Sequence, residues 1–236
     1  GYMKSAVLFA NTGVLDFLEL RTSIVRIPEV IAKLKEAQTF LDRAIKDAPD
    51  LIQFITSDDQ VFWSRKRIRQ IAVGIVQLGL YERYVKRYGE AAHLLASDKE
   101  ENPVQVLSGK MRLGEYVINL AMREDDKSKV VSMEDQALLS KGISMPDFQL
   151  FQKDQEGFFV LVEEGKKQAL NDLLMKLRDE KNTKQFVNIG PGQSISGSAL
   201  NELVDKELNI MESIDLDPML SWFWDISSPY CYQLAN

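Results

Sequence analysis

A single cysteine, Cys231, excludes an intrachain disulfide and any zinc site built on several thiolates. Such sparing use of cysteine fits a reducing compartment, and a cytoplasmic location is expected. A single histidine, His93, excludes zinc sites that need two imidazoles and leaves histidine-based acid–base chemistry one candidate. His93 sits inside an apolar run, where a packed core or strand histidine is the plainer reading. No apolar run approaches the length of a membrane span, and the N-terminus lacks a basic region followed by a long apolar segment. Neither a membrane span nor a signal peptide is therefore expected, and Gly1–Tyr2 ahead of Met3 reads as an expression remnant. Positive charge is in deficit: 29 Lys and Arg stand against 35 Asp and Glu, a net charge of −6. That balance disfavours general nucleic-acid binding but does not exclude a local basic patch. There is no internal repeat and no low-complexity linker, and nothing in the residues calls for a metal or cofactor.

What is present matches an ordinary globular chain, with 45% hydrophobic and 27% charged residues. Length alone allows one large domain or two small ones, and without a linker one domain over residues 3–236 is the simplest choice. Ala6–Ala10 reads as a buried first strand, followed by a turn at Asn11–Thr12–Gly13. Pro28 suits a helix start, and Val30, Leu34, Ala37, Leu41 and Ala44 keep one apolar face through about Lys46. Leu51–Thr56 is a short apolar piece of undetermined type. Ser64 is placed to cap a helix whose buried stripe is Ile68, Ile71, Ala72, Ile75, Leu78 and Gly79, and which Gly89 ends. Leu113–Met122 reads as another amphipathic helix, Arg123–Lys129 as a charged loop, and Val130–Met145 has weak helical spacing. Phe148–Gln152 and Phe158–Val162 read as strands, Lys166–Arg178 as a helix, and Phe186–Ile189 as a short buried strand. This alternation predicts an α/β fold: a short, mostly parallel sheet flanked by helices.

Two stretches carry the candidate chemistry. In Ala91–Gly109 an apolar run breaks at a charged turn, Ser97–Asn102, before apolar spacing resumes at Val104, Val106 and Leu107. This is the grammar of a strand-to-helix elbow, whose tip often exposes a nucleophile. Here the tip offers Asp98 and Lys99, and an ordinary βα loop with acids near a helix N-terminus fits the same residues. The second stretch begins the long helix with Arg65, Lys66, Arg67 and Arg69. It is either the solvated face of a helix or, in an acidic chain, a landing patch for an acidic partner.

The most specific string is FVNIGPGQSISG, Phe186–Gly197, in which a strand runs into Gly190–Pro191–Gly192–Gln193. Backbone N–H groups at such a turn could approach an anion, and Gly13 offers a similar close approach. With this string, VLFANTG (Val7–Gly13), IRQIAVGIVQLGLYERY (Ile68–Tyr84) and the ungapped Glu90–Leu120 stretch, most of the chain resembles the malonyl-CoA:acyl carrier protein transacylase family, which includes polyketide synthase acyltransferase domains. The resemblance implies that family's large-subdomain core.

The departures are informative. Ser97, Asp98 and Lys99 stand where the family has Gly, His and the nucleophilic Ser, and Glu101 replaces a glycine that lets the turn bend tightly. Thr12 stands where the family's Gln helps form the oxyanion hole, with Asn11 and Val14 beside it. The family's carboxylate-gripping arginine should fall at or beside Glu124, and Arg123 is one position off. Glu124–Asp147 is too short for the family's small ferredoxin-like subdomain and holds no histidine. Acyl transfer needs a hydroxyl or thiol nucleophile, a base and oxyanion donors. Lys99, among Asp98, Glu100 and Glu101, is expected to stay protonated, and an amide formed on it would be a dead end. The resemblance thus implies an acyltransferase-like protein without the Ser/His apparatus, binding through Arg65, Lys66, Arg67 and Arg69 to an acyl carrier protein or another biosynthetic subunit. Ligand contacts are expected at Gly13, Arg123, Gly190, Gly192 and Gln193. Two other readings stay open: a transferase or hydrolase with a relocated site at Ser194, Ser196 or Ser198, and a structural subunit that assembles through Trp222, Phe223, Trp224, Tyr230 and Tyr232.

Overall fold

The computed structural model describes residues 4–12, 26–123, 148–163, 166–191, 195 and 206–208. At its centre lie β1 (Ser5–Phe9) and β2 (His93–Ser97), each buried at every position. Strands covered on both faces have no polar alternation, which is why both read as continuous apolar runs. β1 pairs in parallel with β2 on one side and with β5 (Gln185–Ile189) on the other. β2 pairs in parallel with β4 (Phe158–Val162), and β5 with β6 (Lys206–Leu208). β3 (Phe148–Gln152) is the exception. It runs antiparallel to β4, so that Phe148 stands opposite Val162. Among the described residues this gives a six-stranded mixed sheet in the order β3–β4–β2–β1–β5–β6, flanked by helices, which fits a single α/β domain.

Side chains leave each strand alternately to the two faces. Val7, Phe9, Leu94, Ala96, Val187 and Ile189 point into the larger core. Three helices cover them: α1 (Pro28–Ala44), α4 (Lys66–Tyr88) and α6 (Leu113–Met122). The opposite face presents Ala6, Leu8, Leu95, Val160 and Phe186 to α7 (Lys167–Glu180), whose Leu170, Leu173, Leu174 and Leu177 complete a second core.

Local details follow the sequence with some differences. Pro28 does open α1, where its missing N–H costs nothing. Leu51–Thr56 is a helix, α2, started by Asp50, whose carboxylate accepts the Gln53 N–H at 3.0 Å. A short turn of helix, α3 (Gln60–Trp63), follows. Ser64 does not cap α4. Its hydroxyl donates back to the Val61 carbonyl at 2.8 Å, and Arg65 takes the cap position without a side-chain bond. Gly89, at φ 84°, ends α4 as expected. α4 is buried well beyond one stripe, from Ile68 through Leu80 with Arg69 alone less covered, because α1 and α6 pack on it on the side away from the sheet. Arg83 of α4 and Glu29 of α1 meet there as a buried two-pronged pair at 2.9 and 3.1 Å. After β2 comes a brief helix, α5 (Val104–Leu107). Among the described residues no helix is long and apolar enough to cross a membrane.

Candidate functional site

In a parallel sheet the loops after the strands share one edge, and that edge is where α/β folds place ligands. Here β2, β1 and β5 lie side by side, so the elbow after Ser97, the turn after Phe9 and the Gly190–Pro191 turn open onto one rim. Asp98, Lys99, Thr12 and Gly190 are therefore brought to the same edge. Gly13, Gly192 and Gln193 lie outside the described residues, as do Val14, Ser194, Ser196, Ser198 and the aromatic C-terminal cluster.

The elbow is a rounded turn rather than a strained one. Among the described residues only Asp47 and Asn182 are non-glycine residues with positive φ, so Lys99 is not held in that conformation. The Asp98 N–H donates to the Val162 carbonyl at 3.0 Å, tying the turn to β4. The Asn102 N–H reaches the Lys99 carbonyl at 3.2 Å, and α5 starts only at Val104. Asp98 is exposed and Lys99 half-buried. Two buried amides brace the turn from inside. Asn102 Nδ2 donates to the Ser97 carbonyl at 3.1 Å and the Lys99 carbonyl at 2.6 Å, and Gln105 Nε2 donates to the carbonyls of Glu100 and Asn102. The turn is thus held through its carbonyls by its own side chains.

Below the rim runs one face of α4. Arg67, Gln70, Gly74 and Gln77 recur at spacings of three and four, so they lie in a row. Arg67 donates to Gln70 Oε1 at 2.8 Å. A β-carbon at Gly74 would collide with the Tyr116 hydroxyl of α6, which reaches past it to the Glu101 carbonyl at 2.6 Å. Burial first, and the nearby Glu101 charge second, push the Tyr116 phenol above its ordinary range, so it is a neutral donor. Gln77, fully buried, donates to the Ala10 carbonyl at 3.0 Å and the Pro191 carbonyl at 2.8 Å, which clasps the loops after β1 and β5 together. Among the described residues its Oε1 has no hydrogen-bond partner, nor has the buried hydroxyl of Thr12.

Arg123, the C-cap of α6, turns toward the elbow and pairs with the Glu100 carboxylate. Burial, and then the charge of Arg67, lower its pKa from the ordinary arginine value. Arg65, Lys66, Arg67 and Arg69 gather at the start of α4, which has no acid in its first turn. Four cations at the positive pole of a helix oppose its dipole, so local helix energetics do not account for them.

The one imidazole is at the far end of β2. His93 opens that strand, about 13 Å of extended chain from Ser97. It is buried, its Nδ1 accepts the Phe158 N–H at 3.2 Å, and its ring stacks on Phe158 with centroids 5.7 Å apart. Burial is the main cause that lowers its pKa to about 4, with the Lys4 charge next. A neutral, occupied histidine at the wrong end cannot serve the rim as a base. Among the described residues no group of three or more His, Cys, Asp or Glu is gathered that could hold a metal.

Sequence reasoning missed the braces Asn102 and Gln105 and the row Gln70, Gly74, Gln77. The available signal was two glutamines seven residues apart on a helix otherwise buried among apolar side chains. No protein-family model matches this chain, and no curated protein matches it.

Proposed function

We propose that this chain is an acyltransferase-like scaffold, of the malonyl-CoA:acyl carrier protein transacylase type, that has lost transfer chemistry and works by binding. Its partner would be an acidic carrier protein or another subunit of fatty-acid or polyketide biosynthesis. The observation that carries this reading is the shared rim after β2, β1 and β5. The three loops that carry the resemblance meet there, yet they hold Lys99, Thr12 and Gly190, with no hydroxyl–imidazole pair among the described residues. The basic start of α4 supports an acidic partner, because complementary charge speeds encounter and fixes orientation.

The test is to mix the chain with acyl carrier protein, apo and malonylated, and with malonyl-CoA. Binding should weaken with salt and fall about tenfold when Arg65→Glu and Lys66→Glu are combined, with no acyl transfer. Turnover that disappears on changing Lys99 or Asp98 would overturn the reading, and so would a covalent acyl adduct on any serine.

A further inference from the structure

One side of the sheet ends in a strand without the usual guards against pairing. β3 lies beyond β4, and among the described residues no strand pairs with its other side. The Lys153 N–H donates to the Gly157 carbonyl at 2.9 Å, which fixes the phase of the β3–β4 ladder. In an antiparallel ladder, pairs that exchange hydrogen bonds alternate with pairs that do not. With Lys153 bonded opposite Gly157, Phe151 and Gln149 are bonded opposite Phe159 and Leu161. The N–H and C=O groups of Phe148, Leu150 and Gln152 therefore point away from β4, along the outer edge. Native edge strands avoid further pairing through charges, proline or a bulge. β3, FQLFQ, has no charged residue and no proline, and its register with β4 runs without a bulge. In a chain of net charge −6, this neutral edge is where a second copy meets least repulsion.

We propose that β3 pairs antiparallel with β3 of a second copy of this chain, about a twofold axis at Leu150, so that the two sheets continue edge to edge. The strand fits itself. With Leu150 opposite Leu150 of the second copy, Phe148 of each chain stands opposite Gln152 of the other. Every outward-pointing residue then meets an outward-pointing residue, and each pair exchanges two main-chain hydrogen bonds. On the α7 side the two Leu150 side chains, each half-buried against the second core, meet across the axis. On the other side Gln149 shares the face of Phe151, whose ring belongs to the larger core. The Gln149 Oε1 is buried without a hydrogen-bond partner among the described residues. In the paired copies the two Gln149 side chains stand diagonally across the axis, about 7–8 Å apart, within reach of each other's amides. Each unpaired oxygen thereby gains a donor. The basic start of α4 has no part in this edge, so the pairing is independent of carrier-protein docking.

Sedimentation equilibrium of the full chain tests the pairing. One short strand makes a small interface, so the parent should dimerise with a Kd of about 10–100 μM. Leu150→Lys and Leu150→Glu each set like charges directly opposite at the axis, and each should stay monomeric up to about 200 μM. Mixed in equal amounts, the two variants should dimerise again, because position 150 meets itself only in this register. A parent that is monomeric at about 200 μM overturns the proposal. So does a dimer that either variant retains alone, as one built through the C-terminal aromatics would be, and so do variants that stay monomeric when mixed. Should a variant fail to fold, amide hydrogen exchange of the parent decides. Protection of the Leu150 and Gln152 N–H groups that rises with concentration, while Phe151 is protected throughout, supports the pairing. Protection independent of concentration assigns the edge to a segment of the same chain and overturns it, as does no protection at all.

Discussion

The two faces of the sheet are built on different terms. One carries three helices in two depths, with α4 enclosed between the strands and α1 and α6. Among the described residues the other carries α7, an amphipathic helix that offers one row of leucines to the sheet. On the deep face polar groups are kept by pairing: Arg83 with Glu29, Gln77 with two carbonyls, Tyr116 with Glu101. On the shallow face His93 is kept by staying uncharged. Among the described residues, the side chains whose hydrogen bonds brace the rim, Gln77, Tyr116, Asn102 and Gln105, belong to the deep face or to the loops themselves. The shallow face closes the core, and the deep face shapes the site.

The comparison can be broken most severely at Arg83. Arg83→Met leaves the Glu29 carboxylate buried without its guanidinium, and urea unfolding should show a loss of about 3–5 kcal/mol. Combining it with Glu29→Met should recover most of that loss, since a well-packed apolar pair avoids both desolvation costs. A single variant as stable as the parent would show that pairing is not what keeps the deep face.

The shallow face is sharpened by acid. His93 titrates at about 4 when folded against an ordinary 6.5. Between these values the unfolded chain binds a proton that the folded chain does not, so unfolding free energy falls as pH drops through that window. The loss is on the order of 3 kcal/mol, setting in near pH 6.5 and complete only below about pH 4. His93→Asn, whose δ-oxygen can accept the Phe158 N–H, should flatten the slope of stability against pH there; an unchanged slope would assign the acid loss to other groups. The smallest effect is at the start of α2, whose Leu51, Phe54 and Ile55 join the larger core. Asp50→Ala removes the acceptor for the Gln53 N–H at the start of α2 and should cost about 1 kcal/mol by the same urea measurement.

Much of the frame was legible in the residues. Phe148–Gln152, Phe158–Val162 and Leu113–Met122 were read to the residue, because apolar period and flanking turns agree there. The Leu51–Thr56 helix was not, since six apolar-rich residues show no period, and its Asp50 cap is the signal that decides it. Ser64 misled because a hydroxyl before a helix can equally bond backward to the preceding turn. β6 was missed: Lys206–Glu207–Leu208 carries too little apolar character to announce a strand, and pairing with β5 supplies what propensity does not. At the site, the sequence supplied Thr12, Asp98, Lys99, Gly190 and Arg123, and the sheet order brings their loops together. It did not supply the partners, Glu100 for Arg123 and Asn102 and Gln105 for the turn, because a local pattern does not say which way a polar side chain folds back.

The direction of one outer strand sets where this protein can gain or lose length. Since β3 begins beside the end of β4, the span 124–147 is bounded by Arg123 at the Glu100 contact and by Phe148 opposite Val162. Both anchors stand on the rim that also bears Lys99 and Thr12. Neither partner of a described strand pair lies inside that span, so a change of length there interrupts none of the described pairings.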